Sequence, residues 1–445
     1  MSHRALLAGF IFLLPFHSRF LPLNLQAADV IFALLFLSTA VERRRWNLGF
    51  KLQDGLVVAY LSASALSVLL APSPEGRVAL AKEAYCAAIY VCFAALAAQG
   101  AALAVARWSA VAASAVCAAS LGAASWYALT GGEVRLLGQA MPLPYLGQVF
   151  RLTGFFETPQ MFVSYLAFSL PLTWGLAFRR GEASGAGWRA GACVTGAAAV
   201  LTFAGGFPGL AVGVLYFLWP RLGEGVWRRL RWGLCLAAAC GVLVVNLMFG
   251  FAFRGVTVAH DQDRVAPAPE YPYAFQGESG ASPRVTLAVT YEPMSYLLLK
   301  RTALAAWRSA PLTGIGLGRY QEATEREFQA GRLHKRHRAM RPHSTWFGRL
   351  AETGLLGGLT LAALWLSIIL WGFRAIRETP TDDAWVSRAL LGGLLGLLVN
   401  SPNVDAMNFR FLWVGLGLLR GLSPEGDGGP RRAGETRQPR TSANA

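Results

Sequence analysis

The strongest constraint on this chain is the recurrence of mostly apolar segments, each about 15–25 residues long, along almost its whole length. A helix of about 20 residues crosses a hydrocarbon core of about 30 Å. A backbone in lipid must satisfy its own hydrogen bonds, so such segments are helices. They fall at 5–20, 24–41, 55–71, 78–97, 105–128, 157–178, 190–206, 208–220, 233–252, 346–373, 387–400 and 407–421. The division between the seventh and eighth rests on Gly205-Gly206-Phe207-Pro208, which marks either a tight turn or a kink. Apolar residues make up 54% of the chain and the mean hydropathy is +0.40, as expected for an all-α polytopic membrane protein with about 12 transmembrane helices.

Charge distribution sets the expected orientation. A net charge of +16 on a soluble chain would suggest nucleic acid. Here the basic residues gather on one side of the spans. With the N-terminus inside, the inner loops carry runs such as Arg43-Arg44-Arg45 and Arg228-Arg229, whereas the short outer loops hold only Arg19, Arg77, Arg135, Arg151 and Arg410. That asymmetry follows the positive-inside rule and places both termini in the cytoplasm. All six cysteines (Cys86, Cys92, Cys117, Cys193, Cys235 and Cys240) fall within the expected spans without metal-type spacing, so neither a disulfide framework nor a zinc site is expected. The first apolar stretch lacks a small-residue cleavage pattern and reads as a retained helix.

One hydrophilic insertion, residues 253–345, interrupts the spans on the outer side. AHDQDRVAPAPEYPYAFQGESGASPR is rich in Pro, Gly and polar residues and reads as irregular. MSYLLLKRTALAAWRSA has the apolar spacing of an amphipathic helix. In PLTGIGLGRY the glycines indicate a tight turn, with a polar helix over about 319–331. From 319 to 341 the insertion is strongly basic. Its charge either solvates a long translocated loop, which the positive-inside rule binds less tightly, or binds anions. After residue 421 the chain is polar and rich in Pro and Gly, as in a disordered tail.

Several residues could carry chemistry. His343 precedes a helix that Ser344 or Thr345 can cap, which puts an imidazole able to exchange protons near neutral pH at the membrane boundary. Its plainer role is a polar residue marking a helix start. Arg151 lies just before RLTGFFETPQ turns into the sixth span, with Thr158 and Pro159 as N-cap and first helical residue. Arg151 or Arg301 could grip a phosphate bidentately, or else reach for lipid headgroups. Asp29, Lys82 and Glu83 are charges within spans, a costly placement and often a functional one. HDQD, residues 260–263, has the form of a metal-holding DxD, but so short an acidic pattern recurs by chance and no metal is expected.

The stretch KRTALAAWRSAPLTGIGLGRY, the basic helix after it and PHSTWFGRLAETGLLGGL resemble the O-antigen ligase/polymerase family of bacterial envelope glycosyltransferases. RLTGFFETPQ resembles the family's upstream motif, and twelve spans with one large outer loop fit its GT-C-like layout. The chain departs from the family in having Ser344 and Gln160 where Asn is common, and FAGGFPG where a Ser-Arg pair is common. The resemblance implies an enzyme of the bacterial inner membrane, without cofactor or metal. It implies inverting transfer of a glycan from undecaprenyl-pyrophosphate to a glycan or lipid A-core acceptor at the periplasmic face, alongside membrane lipids and polysaccharide-assembly partners. Within it, His343 would be the catalytic base. Arg151, Arg301, Arg319 and Arg341 would bind the pyrophosphate, and Asp405 would orient the acceptor. A transporter or flippase of lipid-linked glycans and an inactive assembly scaffold are the competing readings. The expected organisation is a membrane bundle over 1–252, a periplasmic loop with short helices over 253–345, a second bundle over 346–421 and a tail over 422–445.

Overall fold

A computed structural model describes residues 2–16, 26–41, 49–143, 147–179, 185–218, 251–260, 285–293, 295–333, 338–378 and 384–422. Most of the expected span over 233–252, Cys235 and Cys240, most of the HDQD motif and the C-terminal tail lie outside those residues.

The described chain is mostly helical. The helices are α1 (His3–Leu13), α2 (Ala27–Val41), α3 (Leu52–Leu70), α4 (Pro74–Ala98), α5 (Ala102–Thr130), α6 (Pro159–Phe178), α7 (Gly185–Val200) and α8 (Phe207–Leu218). After the insertion begins come α9 (Ser295–Ser309) and α10 (Tyr320–Gln329), then α11 (Thr345–Glu378), α12 (Ala384–Asn400) and α13 (Arg410–Leu422). Among the described residues, α3, α4, α5, α6 and α11 are long and apolar enough to cross a membrane, while α1, α2, α8 and α12 are shorter apolar helices. Caps fall where side chains can accept the first free amides. Thr158 caps α6 ahead of Pro159, and Ser73 caps α4 ahead of Pro74. Gly205-Gly206 separates α7 from α8, so the sequence marks a turn there and not a kink.

Two antiparallel hairpins add to the helices. Strands β1 (Gly138–Leu143) and β2 (Gly147–Leu152) join α5 to α6, with Gln139 opposite Arg151. Strands β3 (Phe251–His260) and β4 (Val285–Pro293) open the insertion, with Val256 opposite Val289 and a bulge between Phe253 and Gly255. β3 begins where the ninth span was expected to end. Alternation of β-branched residues in GVTVAH and VTLAVTY is the local signal for this pair.

Helices pack closely where glycines remove side chains. A Cβ on Gly213 would lie 2.8 Å from the Gly392 carbonyl, and one on Gly392 would lie 2.7 Å from the Gly213 carbonyl. Gly209 and Gly396 repeat the contact one turn on, so α8 and α12 meet through two facing small-xxx-small pairs. Gly417 and Gly421 bring α13 against α4 in the same way. Aromatic rings fill the wider gaps, Phe10 with Phe32 and Phe93 at 5.3 and 5.5 Å between centroids.

The helix that leads inward from His343 is not continuous. α11 breaks at Gly354, whose φ of 64° and ψ of −159° suit only glycine. The loop Pro311–Gly318 fills the break. Ile315 and Gly316 donate to the carbonyls of Ala351 and Glu352 that close the first half, at 2.9 and 3.2 Å. Leu355 and Leu356, which open the second half, donate to the carbonyls of Pro311 and Leu312, at 2.9 and 3.2 Å. Gly314, at φ 72°, lies against the Glu352 backbone where no Cβ fits, and Ser67 of α3 donates to the Glu352 carbonyl at 2.6 Å. The insertion is thus latched to the bundle by main-chain bonds. Gly354→Ala would force a Cβ against the Leu312 carbonyl, costing about 2–4 kcal/mol of stability. Gly358→Ala, whose Cβ would meet only Leu350 at 3.5 Å, should be neutral. Thermal unfolding of the two variants in detergent reads the difference.

Candidate active site

His343 stands at the junction of the insertion and α11. Its backbone is left-handed, φ 46°, an unusual conformation for a residue with a side chain and one that recurs at functional sites. Ser344 caps α11 by accepting from the Phe347 amide at 3.3 Å. Thr345 locks this entry to the loop before α13. Its amide donates to the Ser401 and Val404 carbonyls at 2.9 and 3.1 Å, its hydroxyl donates to the Val404 carbonyl at 2.8 Å, and it accepts from the Ala406 amide at 2.8 Å. Trp346 Nε1 adds a bond to Ser401 Oγ at 2.6 Å. Lys300 of α9 reaches the same loop at Asn403 Oδ1, 2.8 Å away.

These bonds hold Asp405 next to His343. Asp405 accepts from Asn408 at 2.6 Å through Oδ2, while its buried Oδ1 has no hydrogen-bond partner among the described residues. Burial lowers the His343 pKa below the usual histidine value; the Arg341 charge lowers it further and Asp405 opposes both. The imidazole is therefore neutral at pH 7, the form that can take a proton.

Around this pair the bundle gathers charge from distant parts of the chain. Lys82 of α4 lies within electrostatic reach of Arg341 and of Arg410. Arg410 binds Asp29 bidentately at 2.6 and 2.7 Å, and Gln26 at 2.8 Å; Tyr85 donates to the same carboxylate at 2.6 Å. Deeper, Arg349 pairs with Glu83, both under 6% exposed, beneath the ring of Tyr60 at 5.7 Å. Of the span charges flagged in the sequence, Asp29 and Glu83 are thus held in ion pairs. Lys82 is exposed at the site and has no ion-pair partner among the described residues.

The four arginines expected to serve together are divided. Arg341 is exposed beside His343. Arg319 stands just before α10 and holds Glu322 with two bonds at 2.8 and 2.6 Å. Arg301 is exposed on α9, whose Lys300 is the residue that reaches the 401–406 loop. Arg151 donates to the carbonyls of Thr202 and Phe203, at 3.3 and 2.9 Å, and so secures the α7–α8 turn to the β1–β2 hairpin. Lys300, Arg349 and Arg410 were not singled out from the sequence. Apolar patterning could flag them as charges near spans, but their partners lie far along the chain, 381 residues away for Arg410 and Asp29.

A histidine and an aspartate thus stand near cations at one end of a multi-helix bundle. Residues 190–362 match the family model described as O-antigen ligase. The match runs from α7 through the break in α11 and takes in His343 and Arg341. No curated protein matches the chain.

The charges facing His343 fix two opposite shifts. Arg341→Gln removes a repelling cation and should raise its pKa; Asp405→Asn removes a stabilising anion and should lower it further. Titration of histidine-labelled protein by NMR would show both directions.

Proposed function

We propose that the protein is a metal-independent, inverting glycosyltransferase of the inner membrane. It moves a glycan from undecaprenyl-pyrophosphate to an acceptor hydroxyl at the periplasmic face, as an O-antigen ligase or polysaccharide polymerase. The observation that carries the reading is a neutral, partly buried His343 within electrostatic reach of Asp405 and Arg341, with Lys82 facing Arg341 and Arg410 in turn. The family match supports an enzyme of the ligase/polymerase kind.

In this reading the twelve-span layout has the insertion on the periplasmic side and both termini in the cytoplasm. The glycan's anomeric carbon sits beside His343. Its imidazole takes the proton of the acceptor hydroxyl as the oxygen attacks, and Asp405 stabilises the imidazolium that forms. The pyrophosphate leaves with the carbon–oxygen electron pair. Fixed cations aimed at that developing charge lower the barrier without reorganising during the step. Arg341 is the cation within electrostatic reach of the histidine and Lys82 faces Arg341 in turn, with Arg301 and Arg319 on the insertion taken to meet the distal phosphate. Arg151, bound to carbonyls of the α7–α8 turn, acts by holding that turn in place. Direct displacement inverts the anomeric configuration.

Purified protein, given a lipid-pyrophosphate-linked glycan and candidate acceptors in the presence of a chelator, should transfer the glycan. His343→Ala should lose about a hundredfold or more, the range of general base catalysis. Because His343 must be neutral, kcat/KM should be flat at neutral pH and fall as pH drops below about 6.5, the ordinary histidine value. Arg341→Gln should move that fall to higher pH. Lipid binding without transfer to any acceptor would instead favour a transporter or an assembly scaffold.

A further inference from the structure

A second group of polar atoms at the same end of the bundle is unpaired, and the step just described does not use it. Asn400, the last residue of α12, is 4% exposed, yet its Nδ2 meets no acceptor among the described residues. Gln160, in the first turn of α6, has its Nε2 buried in the same condition. The two amides converge. Each nitrogen lies 3.1 Å from the point a Cβ would take on Gly206, a point Val163 already closes.

The approach is from the neighbouring residue. Gly205 is exposed, and among the described residues beyond its chain neighbours the one atom within 4 Å of the position of a Cβ on it is Gln160 Oε1, at 3.7 Å. Gln160 therefore turns an acceptor towards the opening and a donor inward, beside the second donor of Asn400. A buried donor left unpaired costs about 1–3 kcal/mol, so such a pair calls for a guest.

The group bears no charge, in contrast to the cations around His343. An anion would be repelled by the Gln160 oxygen at the mouth, and a cation by the two N–H donors behind it. A hydroxyl gives one hydrogen bond and accepts others, and neighbouring hydroxyls on a sugar ring satisfy both faces of the amides. The group is also tied to the active site. Ser401, next to Asn400, accepts from the Thr345 amide and from Trp346 Nε1, just beyond His343 in the chain.

We infer that Gln160 and Asn400 form a neutral subsite, entered beside Gly205, for ring hydroxyls of the lipid-linked glycan. The inference rests on the transferase reading for the origin of its ligand. The charged cluster would hold the pyrophosphate and this subsite the sugar.

The test compares the full chain in lipid nanodiscs binding undecaprenyl pyrophosphate with and without a linked disaccharide. Wild type should bind the glycan-bearing lipid about tenfold more tightly, the worth of about one good hydrogen bond. Gln160→Met and Asn400→Leu should each lose that gain while still binding the bare lipid, which also shows that they are folded. Gly205→Val, at an exposed position away from the helix contacts, should lose it by closing the mouth. If wild type binds the bare lipid and gains nothing from the disaccharide, or the variants keep the gain, the subsite is overturned and the pyrophosphate site stands. If wild type binds neither lipid, both readings fall.

Discussion

The break in α11 is the feature on which the rest of the site depends. In lipid an interrupted helix exposes carbonyls on one side and amides on the other, and neither can turn to water. Pro311–Gly318 meets both sets. It donates to the carbonyls of Ala351 and Glu352 and accepts from the amides of Leu355 and Leu356. A polar insertion and a membrane helix become one structure by this exchange of main-chain bonds. The first half of α11, with His343 at its mouth, is thereby fixed from below by the loop and from above by the bonds of Thr345 to the 401–406 segment. A left-handed residue such as His343 keeps its place only when its surroundings hold it this firmly.

Charge inside the bundle follows the same logic of compensation. Arg349 with Glu83, and Arg410 with Asp29, bring a cation to each buried carboxylate. Removing one partner of a buried pair leaves an unpaired charge, a loss of about 3–5 kcal/mol. Arg349 lies within electrostatic reach of Asp405 and Arg410 of Lys82, so these pairs belong to both stability and electrostatics. Arg420 with Asp54 and Tyr90 performs the structural half of that task at the opposite end, where α13 meets α3 and α4. What distinguishes the His343 end is the surplus of cations, Lys82 and Arg341, over the carboxylates that neutralise the others.

Much of the architecture was legible in the chain. Apolar length located the described helices, although α1 ends at Leu13 where the span was expected to reach residue 20, because the cost of unpaired backbone in lipid leaves little choice of structure. Thr158-Pro159 and Ser344-Thr345 announced their helix starts by capping chemistry, and the amphipathic spacing of SYLLLKRTALAAWRS gave α9. The β3–β4 hairpin was missed because its alternation is short and lies beside an apolar run that reads as a span. The glycines of PLTGIGLG signalled a turn. Nothing local said that the turn would enter a gap opened by Gly354, since the two halves of the latch are separated by the whole of α10 and the basic segment.

The sequence by itself determined that the chain is a bundle of membrane helices with a basic insertion ending at a histidine, because hydrophobic length, capping and charge are local properties. The tertiary structure alone decided which charges pair. It put Asp405 within electrostatic reach of His343 and Lys82 within reach of Arg341, and it assigned Arg151 to the carbonyls of a turn. Those outcomes depend on which helices meet, and that is settled by close contacts such as Gly213 on Gly392 and Gly417 on Tyr90, between residues whose separation in the chain carries no record of their approach.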